Sequence, residues 1–83
     1  MMSNQPTQSV ARLAQAIYDE RLKDELERSH RDEFVAIEPI SGDYFLGQTL
    51  SEAIGLARQA HPDRMAHALR VGHRSAVHFG ASL

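Results

Sequence analysis

The sequence predicts a small α+β domain, with an antiparallel sheet of about four strands packed against two helices in the order α-β-β-α-β-β. Three observations carry this reading. Phe34 to Glu38, FVAIE, is a short β-rich run closed by Pro39. Ser41-Gly42-Asp43 supplies a turn, after which Tyr44 to Leu46 returns antiparallel. Thr49-Leu50-Ser51-Glu52 has the spacing of a helix-capping box and opens a segment that His61-Pro62 closes.

Each element follows from its local chemistry. Residues 1–8 are polar, hold Pro6 and show no period, so they are expected to form a flexible arm, with 9–83 as one α+β domain. Ser9 is placed to cap a helix reaching about Ser29. Val10, Leu13, Ala14 and Ile17 share one face of it, while Tyr18, Leu22 and Leu26 follow at four-residue intervals and drift round the axis. The drift implies either a bend near Asp19 or two halves that face different partners. On the second reading, residues 18–26 lie on the domain's own sheet, and Val10, Leu13, Ala14 and Ile17 form a self-association face.

In the first strand Val35 and Ile37 point one way, and Phe34, Ala36 and Glu38 the other. After Thr49, the residues Leu50, Ala53, Ile54, Ala57 and Ala60 line one side of the second helix, flanked by Leu56. Gly55 within it either allows close helix–sheet packing or is simply tolerated. Met65 to Val71 alternates as a third strand, Gly72-His73-Arg74 turns the chain, and Ala76 to Phe79 is expected to close the sheet. A turn at 72–74 would set Val71 opposite Ser75 and Ala68 opposite His78. The four strands are expected to bury one face under both helices.

Bulk properties narrow the function classes. Eighty-three residues make one domain with a thin core, whose net stability is about 3–5 kcal/mol at this size, so burial in a homodimer is expected. The absence of cysteine excludes a disulfide framework and thiolate metal sites, and fits a cytoplasmic location. No apolar run approaches the roughly 20 residues that span a bilayer, and MMSNQPTQS does not read as a secretory signal.

The net charge of −2 is unevenly distributed: residues 1–57 hold ten acids against five bases, and 58–83 hold Arg58, Arg64, Arg70 and Arg74 against Asp63. These arginines, with neighbouring histidines, define a possible nucleic-acid edge. Five histidines invite a metal site, but no pair has the i,i+4 helical spacing and the nearby arginines repel cations. Asp19, Glu20, Asp24 and Glu25 read as solvating residues of an exposed helix face. Ser41, Ser51 and Ser75 lie outside any nucleophile-elbow context. No metal, cofactor or catalytic residue is expected, and the chain reads as a non-enzymatic interaction module. Its expected partner is a second copy or another protein, with nucleic acid as the alternative.

Tyr18-Asp19-Glu20, Phe34-Val35-Ala36-Ile37, Gly42-Asp43-Tyr44, Thr49 to Ala53, His61-Pro62-Asp63 and Arg70-Val71-Gly72, spread over roughly residues 17–80, resemble a pattern of short uncharacterised bacterial proteins. That resemblance implies the fold and an operon-partner role, and carries no site residues. Gly47-Gln48-Thr49-Leu50-Ser51-Glu52-Ala53 is similar to the segment that enters a helix in HicB-type antitoxins, with Gln48 where an acid usually stands. The long first helix, and the lack of an obvious C-terminal DNA-binding extension, depart from that family.

Overall fold

Phe34–Glu38 (β1) and Asp43–Gly47 (β2) form an antiparallel hairpin, with Ala36 opposite Phe45 and Glu38 opposite Asp43. The computed structural model describes residues 6–73 and 76–77. β1 also pairs antiparallel with His67–Arg70 (β3), placing Val35 opposite Leu69 and Ile37 opposite His67. Ala76–Val77 (β4) adds a two-residue pairing on the far side of β3, so the order is β2-β1-β3-β4. Three strands therefore make the body of the sheet.

Helices cover both faces, not one as the sequence suggested. Pro6–Ile17 (α1), a π turn at Tyr18–Leu22 and Lys23–Ser29 (α2) run as one long helix. Its Ala14, Tyr18, Leu22 and Leu26 pack with Val35, Ile37, Leu69 and Val71. Leu50–Ala60 (α3) lies on the opposite face, where Ala53 and Ala57 meet Ala36, flanked by Phe34, Phe45, Ile54 and Ala66. The unbroken apolar run Phe34–Ile37 carries this signal, because a strand covered on both sides needs apolar residues at every position.

The π turn accounts for the drifting stripe. Four-residue steps from Ala14 to Leu26 in a regular α-helix would rotate the last side chain about 120° past the first. At the π turn the Lys23 N–H bonds the Tyr18 carbonyl, five residues back. The wider turn takes up the extra rotation and brings both halves onto one sheet face. Ala14 therefore lies with Tyr18, Leu22 and Leu26 on the domain's own sheet. The long helix starts at Pro6, since proline suits a helix's first turn, where its missing N–H costs nothing; residues 1–5 of the expected arm lie outside the described residues.

At the opening of α3 the Thr49 hydroxyl accepts from the Glu52 N–H at 3.1 Å, and the Glu52 carboxylate accepts from the Gln48 N–H at 2.7 Å. This is the expected cap, except that Glu52 reaches one residue further back. A Cβ on Gly55 would have nothing within 4 Å, which removes the close-packing explanation for that glycine. Gly55→Ala is therefore expected to stabilise the domain by about 0.5–1 kcal/mol, seen as a higher urea midpoint at unchanged slope.

β3 is shorter than the expected Met65–Val71 and pairs in a different register. Ala68 faces Val77 and Leu69 faces Ala76, one residue away from the anticipated Ala68–His78 pairing. The reason lies at the strand end. The Asp32 N–H donates to the Val71 carbonyl, while the Val71 N–H donates to Glu33. Asp32 and Glu33 together oppose Val71, a bulge whose first residue takes the left-handed conformation, here Asp32 at φ 76°. Val71 is thereby committed to β1, and the turn begins there, with Gly72 at φ 85°. Arg74, Ser75, His78, Phe79 and Gly80 lie outside the described residues.

Candidate functional site

Among the described residues, exposed or polar groups gather at the 38–43 hairpin turn, in a cleft beside the π turn, along a groove beside Arg58 and at the outer edge of β2. The hairpin turn is organised by Glu38, a buried carboxylate that the sequence reading placed only as a strand residue. It accepts from the Ile40 and Ser41 N–H groups, each at 2.9 Å, and from Arg64 Nη1 at 3.3 Å. Burial opposes its ionisation, but the hydrogen bonds from Ser41, Ile40 and Arg64 outweigh that and hold its pKa at about 2. A carboxylate two and three residues ahead of two turn N–H groups was the available sequence signal.

The same turn assembles Ser41, His61 and Asp43, residues of hydrolase type. His61 Nε2 lies 2.8 Å from Asp43 Oδ2 and 3.3 Å from Ser41 Oγ. A catalytic triad uses the two imidazole nitrogens separately, one toward the acid and one toward the nucleophile. Here one nitrogen serves both. Since an ionised carboxylate only accepts, that nitrogen carries the proton toward Asp43 and has no lone pair to take one from Ser41. The serine hydroxyl instead caps the turn, donating toward the Glu38 carbonyl at 3.4 Å and accepting from the Asp43 N–H at 3.1 Å.

Beside the π turn, Gln15, Tyr18, Asp19, Lys23, Glu27, Gly72 and His73 line an open polar cleft. Its central groups already bond one another. The Tyr18 hydroxyl donates to Glu27 Oε2 at 2.9 Å and accepts from the Gly72 N–H at 3.4 Å. Burial, reinforced by the Glu27 hydrogen bond, pushes the phenol above its ordinary pKa. His73 Nε2 lies 2.7 Å from Asp32 Oδ1, and this hydrogen bond is the main reason the Asp32 carboxyl sits below its usual range. Asp19, Glu20, Asp24 and Glu25 are exposed, and Asp19 accepts from Gln15 at 3.1 Å. Among the described residues no group of histidine, cysteine or acidic side chains could hold a metal ion.

Among the described residues the arginines of the expected edge stand at two places, Arg58 and Arg64 at one and Arg70 at another. Arg58 is exposed beside an apolar groove that also includes Ile54, Pro62, Arg64 and Met65. Arg64 is tied to Glu38, at the C-terminal end of β1. Arg70 stands at the other end of that strand, donating to the Asp32 carbonyl at 3.1 Å with its guanidinium 5.4 Å from the Phe34 ring centroid. Four residues of strand, roughly 13 Å, separate those ends. Arg74 lies outside the described residues.

The self-association set is also divided. Ala14 is fully buried in the chain's own core, and the partly buried Ile17 packs against it. Val10 is half-buried, and Leu13, 53% exposed, is the member of the set that faces solvent.

The remaining place is the outer edge of β2, with which no described strand pairs. Ile40, 72% exposed, and Tyr44, 39% exposed, flank it. The sequence DYFLG carries neither lysine nor proline, the residues that usually blunt a free edge. Among the described residues no helix is long and apolar enough to cross a membrane. In comparisons with known proteins, no family model, no curated protein and no solved structure matches the chain.

Proposed function

We propose that this protein is a non-enzymatic interaction module that binds an extended segment of another polypeptide along the outer edge of β2. The observation that carries the reading is that edge: a five-residue strand with which no described strand pairs on its outer side, close to exposed Ile40 and Tyr44. The polar clusters elsewhere favour the same reading, because their groups are spent on holding turns. An antitoxin-like or operon-partner role is the form of this function that the sequence resemblance supports.

Affinity capture with three forms of the chain tests it. A partner held by the wild type and by Leu13→Lys, but lost with Tyr44→Lys, is the expected result, since a lysine on an edge strand opposes strand addition. Equal capture by all three would contradict it. Retention that is nuclease-sensitive, weakens steeply with salt and disappears with Arg58→Ala would favour nucleic acid instead.

A further inference from the structure

We infer that the polypeptide taken up by the β2 edge is a second copy of this chain, paired antiparallel about a two-fold axis through Phe45. The inference rests on the reading of β2 as a binding edge and adds its occupant and register.

The phase of the sheet fixes which groups are open. The Val71 N–H bonds the Glu33 carbonyl, so alternation along the ladder turns the backbone groups of Val35 and Ile37 toward β3. Those of Phe34, Ala36 and Glu38 then face β2, where they meet Gly47, Phe45 and Asp43. On β2 this leaves Tyr44 and Leu46 with their N–H and C=O groups directed outward. A symmetric pairing must match outward residues with outward residues. The register that engages all five residues of β2 sets Tyr44 against Leu46 of the second copy, twice, with Phe45 against Phe45 on the axis.

The side chains suit that register. Tyr44 and Leu46 lie on the same sheet face as Val35 and Ile37, so each apolar residue meets an apolar residue. Asp43, the one charge on the strand, falls opposite Gly47, and no like charges oppose each other. The chain's net charge of −2 adds little repulsion between copies. The inner layer beneath α3 is built on Ala36, Ala53 and Ala57, a small core that a continuous sheet across two copies would extend.

The absence of native cysteine gives a clean test. Residues on the axis are a non-hydrogen-bonded pair about 4.5 Å apart at Cα, within the range a disulfide spans. Full-length Phe45→Cys is expected to oxidise to a covalent dimer, while Ile40→Cys, on the exposed turn away from the axis, stays uncrosslinked. Because Phe45 also packs in the core, an equimolar mixture of Tyr44→Cys and Leu46→Cys chains provides a second reading. It should form the mixed disulfide several-fold faster than either chain crosslinks to itself. Light scattering on the wild type should give twice the 9.3 kDa chain mass at high concentration, falling toward one chain mass with Tyr44→Lys.

A wild type that stays monomeric at all concentrations, with no preference for the mixed disulfide, would overturn the inference. If Tyr44→Lys still abolished capture of another protein in that case, the binding-edge reading would survive with a different occupant. If capture were also unaffected, both would fall.

Discussion

Glu38→Gln is expected to lower the stability of the domain by about 2–3 kcal/mol at neutral pH and to remove most of its dependence on acid. The carboxylate is 1% exposed, and two turn N–H groups and Arg64 point at it. An amide keeps one acceptor oxygen, brings an N–H toward donors, and gives up the charge that Arg64 faces. The sign of the pH effect follows from the direction of the shift. The folded pKa, about 2, lies below the ordinary 4.5, so the folded state binds the proton less readily than the unfolded chain. The stabilisation is therefore complete above about pH 5 and disappears as pH falls toward 2. Roughly two and a half pH units at about 1.4 kcal/mol each set an upper bound of about 3.5 kcal/mol. Urea midpoints for the two proteins should differ most at pH 7 and converge near pH 2. Parallel profiles would show that Glu38 is not the acid-sensitive group.

Gly47→Ala is expected to cost about 3 kcal/mol, the opposite sign from Gly55→Ala. A Cβ on Gly47 would stand 2.6 Å from the Ala53 backbone nitrogen and 2.8 Å from the Glu52 Cβ. Neither neighbour is a flexible side-chain tip. Only Gln48 and Thr49 separate the end of β2 from α3, so relief must come from the pairing of Gly47 with Phe34 or from the helix cap. Both hold α3 against Ala36. The two glycine variants melted side by side should move apart, Gly47→Ala several degrees down and Gly55→Ala a few degrees up. A Gly47→Ala protein as stable as the wild type would mean that β2 and α3 are not in close contact.

The legible parts of the fold are those decided locally. Thr49 and Glu52 act through neighbouring N–H groups, and Pro62 acts on the residue before it, so α3 reads directly from the chain. β1 was legible for the same reason: alternation and Pro39 bound it at Phe34 and Glu38. The layering was not, because whether α3 sits beside the long helix or across the sheet from it depends on contacts between distant segments. The run Phe34–Ile37 held the clue, but an apolar Phe-Val-Ala-Ile also suits a strand covered on one side. The π turn was visible only as its consequence, the four-residue steps of Ala14, Tyr18, Leu22 and Leu26. In a rigid α-helix those steps would carry Ala14 and Leu26 onto different faces.

The polar clusters follow the same division. His61 and Ser41 are twenty residues apart, and His73 and Asp32 forty-one, so no spacing rule links them. Glu38 was hidden by its position in a strand whose burial on that side depends on α3. The β2 edge is a property of strand order, which alternation does not specify. Tyr44 and Ile40 became informative only once β1 was known to pair with β3 on its other side.

Residue-resolved hydrogen exchange on β2 distinguishes a binding edge from a strand that takes no partner. In the dilute chain the Tyr44 and Leu46 amides are expected to exchange quickly while the Phe45 amide, turned toward β1, is protected. On association, whether with a second copy or another polypeptide, protection should appear at Tyr44 and Leu46. Slow exchange at both positions in the dilute monomer, or unchanged rapid exchange at both in the associated state, would contradict a binding edge on β2.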